Sequence, residues 1–346
     1  MTFRTLLLGV VCTFTACAPA PDAGEPLRGS TTAQLPLRDL EVSYTDAAEI
    51  PSQLPFYQRA TGISGNLSSA GSDTLANMVT LWGEAFGRIY PAVNIQVQAA
   101  GSSSAPPALT EGTVNFGTMS RALTDVENES FEARHGYKPL AVRVAIDAVA
   151  IYVHKDNPLQ SINLEDLDSV YSVTRRCGGR RDLTAWGDLG LDGRWHNQPI
   201  QIFGRNSVSG TYGFFKTFAL CSGDYKNSLN EQPGSASVVQ SVASSLNGIG
   251  YSGIGNSTSG VKTLALQTGR NTTISANTAT VTDGSYPLTR YFYIYLNKRP
   301  GHALNPLEQE FLSFVLSKDG QEIVSKDGYI PIPPQLAARE MRKLQS

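Results

Sequence analysis

Three short clusters of glycine and small hydroxyl residues stand where an apolar run gives way to a helical pattern. The first is Ala70-Gly71-Ser72-Asp73-Thr74-Leu75, and the second is Gly101-Ser102-Ser103-Ser104, directly before a proline-led helix start. The third is Arg205-Asn206-Ser207-Val208-Ser209-Gly210-Thr211, between the apolar IQIF segment and an aromatic helix. A helix N-terminus offers unpaired backbone N–H groups and the positive end of the helix dipole. Short hydroxyl side chains at such a turn can complete a cage of donors around an oxyanion. Ser and Thr are also ordinary helix N-caps, and for any single cluster that explanation suffices. Three clusters in one chain favour the anion, because one of them carries an arginine four residues before its Ser-Gly-Thr. A guanidinium suits the task, since its planar fork can hold two oxygens of one anion.

The same residues give little support to catalysis. Ser209 lacks the glycine two positions earlier that a nucleophile elbow needs. None of the four histidines lies near a suggestive acid motif, so a Ser-His-Asp machine has no footing. Gly248-Ile249-Gly250-Tyr251-Ser252-Gly253 formally matches GxGxxG, but glycine and polar residues follow it. It therefore reads as a strand and turn, not a dinucleotide loop. No Walker-type lysine follows any glycine cluster. No CxxC or histidine cluster suggests a metal, and no cofactor is expected.

The elements that must position these clusters follow from periodicity. Asn94 to Ala99 alternates polar and apolar, while Val142 to His154 (VRVAIDAVAIYVH), Ile200 to Phe203 and Tyr291 to Leu296 read as buried strands. Helical patterns cover Thr74 to Ile89, Tyr212 to Leu220, Ser235 to Ser245 and Pro306 to Val324. This alternation predicts an α/β protein with sheets covered by helices. A chain of 346 residues with 41% hydrophobic content is long enough for two lobes with their own cores. The formal net charge of −2, with 17% charged residues and no Lys/Arg block, argues against a nucleic-acid partner.

Export is written at the start of the chain. Arg4 and the apolar stretch Leu6 to Phe14 form a signal segment too short to span a bilayer. Thr15-Ala16-Cys17 resembles a bacterial lipobox, which makes Cys17 the expected lipidation site, although Phe14 stands where that pattern prefers Leu, Val or Ile. Plain secretory cleavage nearby is the alternative. Residues 18 to about 60 are rich in Pro, Ala, Gly, Ser and Thr and read as a flexible tether. Beyond Cys17 only Cys177 and Cys221 remain, and in an oxidising compartment a lone pair predicts one disulfide.

The order AGSDTL, GSSS, NFGTMSRAL, VAIDAVAIYVHKDNP, GRNSVSGTYGFF, GIGYSGIG, YPLTRYFYIYLNK and SKDGQEIVSKDGYIPI resembles the PstS family, the phosphate-binding components of ABC importers. The resemblance runs from about residue 65 to 335. It implies a two-lobed type II periplasmic-binding-protein fold, with two crossing segments and a ligand cleft between the lobes. Lobe 1 is expected over 60–146 plus 266–346, and lobe 2 over 147–265, after a signal peptide 1–17 and the tether 18–60.

Carried over motif by motif, the resemblance places Ser72, Thr74 and the Leu75 backbone near the anion, with Ser102 or Ser103 beside them. The third cluster contributes Arg205, Ser209, Gly210 and Thr211. Some family members carry, in the loop matching Thr118-Met119-Ser120-Arg121, an aspartate that accepts the phosphate's proton. Here Ser120 and Arg121 stand there, which leaves the acceptor open. Asp147 is the candidate, with a hinge or N-cap carboxylate as its other reading.

The function implied is capture of inorganic phosphate and delivery to a membrane permease, without turnover. The protein is expected to be monomeric, periplasmic or in the cell envelope, and lipid-anchored to a membrane. Rivals are another oxyanion such as sulfate or molybdate, an exported phosphatase or esterase, and a sensor or adhesin on the same scaffold.

Overall fold

The computed structural model describes residues 53–269 and 272–345. The expected signal peptide, Cys17 and the tether up to residue 52 lie outside the described residues. The first half of the described chain builds one sheet. Parallel strands β1 (Gly65–Gly71), β2 (Val93–Gln98) and β3 (Phe116–Met119) alternate with helices α1 (Ala76–Ile89) and α2 (Ala105–Thr110). After α3 (Asp125–His135), the long strand β4 (Leu140–His154) leaves this sheet for a second one. The strand is buried without a break from Val144 to Val153, as its nearly continuous apolar run requires.

The second sheet is built along the far half of β4. Past β5 (Ser161–Asn163) and α4 (Leu164–Tyr171) come β6 (Gln201–Arg205), α5 (Gly210–Ala219), β7 (Asn230–Gln232), α6 (Ser235–Ala243) and β8 (Gly248–Gly253). β8 lies antiparallel to β4 over Val149–Val153 and parallel to β6, which in turn pairs with β7. β9 (Val261–Gln267) also lies on β4, and both β5 and β10 (Thr273–Ile274) pair with it. After α7 (Thr278–Thr282), strand β11 (Thr289–Leu296) returns to the first sheet between β3 and the near half of β4. The path β2-β1-β3-β11-β4-β8-β6-β7 is therefore continuous, with β4 as the member common to both halves.

The GIGYSG stretch forms the strand β8, as the sequence indicates. A Cβ on Gly250 would come within 2.7 Å of Val242 and 2.8 Å of Val238, so the glycine lets α6 seat directly on the sheet. The expected single helix over 306–324 is instead two, α8 (Pro306–Leu316) and α9 (Lys318–Lys326). Ser317 ends the first and caps the second, its hydroxyl accepting from the Gly320 N–H. A Cβ at Gly320 would sit 2.2 Å from the Phe314 carbonyl oxygen, a close approach that only glycine permits.

Helix α10 (Pro334–Gln345) closes the described chain. Helix α1 presents Met78, Val79, Trp82 and Phe86 to the core, and the Phe86 ring stacks edge-on against Phe311 of α8 at 5.4 Å. Residues 53–60, at the end of the expected tether, lie against this body. The Tyr57 ring is 5.6 Å from Phe314, and its hydroxyl meets Tyr90 at 2.7 Å and Glu310 at 2.5 Å. In the second half, Cys177 and Cys221 form the expected disulfide, with Cα atoms 5.0 Å apart.

Candidate functional site

The three glycine and hydroxyl clusters meet at the junction of the two sheets. Each sits just beyond the carboxyl end of a parallel strand, where α/β sheets present their loops to ligands. After β1, Ser72 caps a 3-10 turn over Asp73–Leu75 by accepting from the Thr74 N–H, and the Leu75 N–H points back to the Ser72 carbonyl at 3.3 Å. After β2, Gly101 adopts a left-handed φ of 105° and starts the turn Ser102–Ser104. After β6, Ser209 caps α5, accepting from the N–H groups of Thr211 and Tyr212.

Contacts between clusters are close. The Ser103 N–H donates to the Val208 carbonyl at 3.0 Å. Ser102 and Ser120 hydroxyls lie 3.2 Å apart, and a Cβ on Gly210 would fall 2.3 Å from one and 2.5 Å from the other. Glycine at the first turn of α5 is what lets that helix end approach the two serines. Ser72, Thr74, Ser102, Ser120, Ser209, Gly210 and Thr211 are all buried.

Two buried arginines complete the constellation. Arg205, at the end of β6, donates from Nη2 to Asp73 at 2.6 Å and to the Pro233 carbonyl at 2.9 Å. Its Nη1 donates to the Ser235 hydroxyl at 2.8 Å, and its Nε to the Gln232 carbonyl at 3.3 Å. Arg290, on β11, donates from Nε and Nη2 to one oxygen of Asp147, at 2.9 and 2.7 Å. The same Nη2 reaches the Thr211 hydroxyl at 3.0 Å. Thr211 meets Thr74 at 3.3 Å, and Thr74 meets Ser235 at 3.0 Å. A chain of side chains thus runs Asp147, Arg290, Thr211, Thr74, Ser235, Arg205, Asp73. It links two ion pairs through three hydroxyls across the junction of the sheets.

One cleft of about 420 Å³ opens beside Asp73, Thr74, Asn77, Ser235, Asn256 and Tyr329. A smaller cavity of about 200 Å³ lies at the other end, lined by Arg121, Phe214, Arg290 and Tyr293 among others. Arg290 Nη1 is buried and makes no hydrogen bond among the described residues. A buried guanidinium N–H without a partner is a donor suited to an anion.

Three expectations about charged residues change in detail. The guanidinium of Arg205 does not stand open as a fork; all three of its nitrogens are held by protein oxygens, because a buried charge needs compensation. Asp147 is the counter-charge of Arg290, and its other oxygen accepts from the Ile254 N–H at 3.1 Å. Burial pushes its carboxyl above the ordinary range, and the Arg290 guanidinium pulls against that. Arg121 is clamped by Glu127 through two bonds of 2.7 Å, while one nitrogen also reaches the Ser103 hydroxyl at 3.3 Å. It stands at the rim of the smaller cavity, beside the cluster.

Sequence reasoning missed Arg290, Ser235 and Asp73. A signal for the first was present: Arg290 is a charge inside an apolar strand, and a buried charge requires a partner. Ser235 was read only as a helix start.

A PBP superfamily domain matches residues 58–319. The phosphate-binding protein PstS of Pseudomonas aeruginosa is 58% identical over 298 residues, which cover 86% of this chain and 92% of that protein. The chain belongs to the PstS family. A more distant PstS, from Staphylococcus haemolyticus, is 26% identical over 82% of this chain and 86% of its own length. Among solved structures, an ABC-type phosphate transport receptor from Vibrio cholerae superposes with a TM-score of 0.61 at 20% identity, covering 77% of this chain and all of the other. A phosphate-binding protein from Stenotrophomonas maltophilia gives 0.62 at 13% identity, over 81% of this chain and 94% of its own. These likenesses establish the fold of the PstS family here: two α/β lobes of the type II periplasmic-binding-protein class. In that fold the hydroxyl and guanidinium chain occupies the junction between the lobes.

Proposed function

We propose that this PstS-family protein captures inorganic phosphate between its lobes and delivers it to the membrane permease of an ABC importer, as a binding protein and not an enzyme. The observation that carries the reading is the buried convergence of three hydroxyl clusters and Arg290 on the N-terminus of α5, with Arg205 tied to the same network through Ser235. The donors supplied there are Thr74, Ser102, Ser120, Ser209, Thr211, the backbone at Gly210 and the Arg290 Nη1. They replace the hydration shell of a small oxyanion with fixed dipoles. Each arginine has its own carboxylate, so selectivity rests on donor geometry more than on net positive charge.

Several further parts of the reading rest on sequence. Cys17 carries a lipid that anchors the mature chain to a membrane, and the protein works outside the cytoplasm as a monomer. Among the described residues no helix is long and apolar enough to cross a membrane. Lobe 1 comprises residues 60–146 and the C-terminal part, and lobe 2 begins near 147. The pairing of β10 with β9 favours carrying lobe 2 past 265, so that the return crossing is the stretch entering β11.

Titration calorimetry with phosphate, arsenate and sulfate tests the assignment. Tight binding of phosphate and arsenate with weak binding of sulfate is expected. A preference for sulfate or molybdate would assign a different oxyanion to the same fold. Hydrolysis of a chromogenic phosphoester by the pure protein would replace binding with catalysis.

A further inference from the structure

Asp73 makes bonds that its own segment does not require. The turn it belongs to is already capped by Ser72. The Asp73 carboxylate instead reaches out of the first sheet, where Oδ1 accepts from Arg205 on β6 and Oδ2 accepts from the Ser235 N–H at 3.1 Å. Ser235 is the first residue of α6, a nine-residue helix whose N-cap is Gly234. A glycine cap brings no side-chain oxygen, so α6 begins with a backbone donor that its own sequence leaves unserved. The oxygen arrives from the opposite sheet. A Cβ on Gly234 would stand 3.7 Å from Asp73 Oδ2, which places the carboxylate directly over this helix end.

We propose that Asp73 is an interlobe latch: a positioning residue that caps α6 and holds Arg205 from across the cleft, so that closure of the lobes and assembly of the anion site are one event. The inference rests on the two-lobed binding reading above. When the lobes part, two elements of the second sheet lose a partner together: the guanidinium at the end of β6 and the N-terminus of α6. When they meet, one carboxylate satisfies both. The hydroxyl bonds Thr74–Thr211 and Thr74–Ser235 cross at the same place, but they are neutral and longer than the Asp73–Arg205 contact. The charged bond is the stronger of these restraints. Removing one partner of a buried charged pair acts chiefly on the dissociation rate.

The test compares full-length wild type with Asp73→Ala, Asp73→Asn and Asp73→Glu. Release of radiolabelled phosphate into an unlabelled chase reads the latch, and small-angle scattering at saturating phosphate reads closure. Asp73→Ala is expected to release phosphate at least about tenfold faster than wild type and to stay more expanded when saturated. Asp73→Asn, which keeps a cap acceptor but loses the charge, should fall between, and Asp73→Glu should recover part of the slow release. A purely structural cap would lower the melting temperature of Asp73→Ala while leaving the release rate and compaction at wild-type values. That outcome overturns the proposal, and Asp73→Asn carries the comparison should Asp73→Ala fail to fold. If the wild type itself binds no phosphate, the functional reading fails separately. The latch is then judged on phosphate-free scattering, where equal radii for wild type and Asp73→Ala reject it and an expanded variant supports it.

Discussion

Arg205 and Arg290 are both buried, and each is tied to a carboxylate, but their surroundings differ. Arg205 has protein oxygens on every nitrogen and lies one hydroxyl, Ser235, from Thr74. Its removal should weaken phosphate binding at least ~30-fold in calorimetric titration of folded Arg205→Ala, since truncating one partner of a buried charged contact costs about 2–5 kcal/mol. Arg205→Lys should recover only part, because a single ammonium cannot serve Asp73, Ser235 and the Pro233 carbonyl in one plane. Arg290 leaves one nitrogen without a partner among the described residues, and its guanidinium carbon lies 5.4 and 5.5 Å from the ring centroids of Phe214 and Phe292. Arg290→Ala strands Asp147 as an unpaired buried carboxylate, so urea unfolding should show a loss of about 3–5 kcal/mol in addition to weakened phosphate binding. Arg290→Ala paired with Asp147→Asn should restore much of the stability and none of the binding.

The rim of the site is organised by one element, α3. Thr124 and Glu127 form a capping box at its start, with the Thr124 hydroxyl accepting from the Glu127 N–H and Glu127 accepting from the Thr124 N–H. The same carboxylate clamps Arg121. Burial raises the Glu127 pKa, but the bonds from Arg121 and the Thr124 backbone outweigh it, and the carboxyl lies below its ordinary value. A carboxylate lowered in the folded state contributes stability that is complete above its unfolded pKa and is lost as pH falls through the folded one. The stability gap between wild type and Glu127→Gln should therefore be full at neutral pH and close on the acid side of the carboxylate range. Urea melts across that range check it; a gap independent of pH would remove the ion pair as its source. The split between α8 and α9 belongs to the same scale: the polar Ser317 that breaks the pattern is the residue that caps the second helix.

At the scale of the molecule, β4 joins the two halves and the disulfide tightens the second. Cys177 and Cys221 are 44 residues apart in sequence, so their bond closes a loop whose chain-entropy value is about 4 kcal/mol. Alkylation of unreduced protein should label neither cysteine, and reduction should lower the urea midpoint accordingly. The proposed lipidation site, Cys17, precedes this loop by 160 residues of sequence. Cys17→Ser should move the protein from the membrane fraction to the soluble one and leave phosphate affinity unchanged, because the proposed donors begin at Thr74. A soluble variant that no longer binds would mean that the N-terminal segment contributes to the cleft.

Much of this protein was legible as a string of residues. The buried strands, the Gly-rich stretch of β8, the pairing of Cys177 with Cys221 and the hydroxyl clusters after β1, β2 and β6 were all legible in the sequence, because capping, alternation and helix-end chemistry act over a few residues and only two cysteines follow Cys17. The helix break at Ser317 was not read, since one serine inside an apolar period looks the same whether it caps or merely faces outward. What the tertiary structure alone decided is who compensates whom. Arg205 is served by Asp73 from 132 positions away and Arg290 by Asp147 from 143. No local periodicity carries a partnership at that distance. It is fixed by the return of β11 beside β4 and by the approach of the β1 turn to the start of α6, because buried charges must find partners wherever the fold brings them.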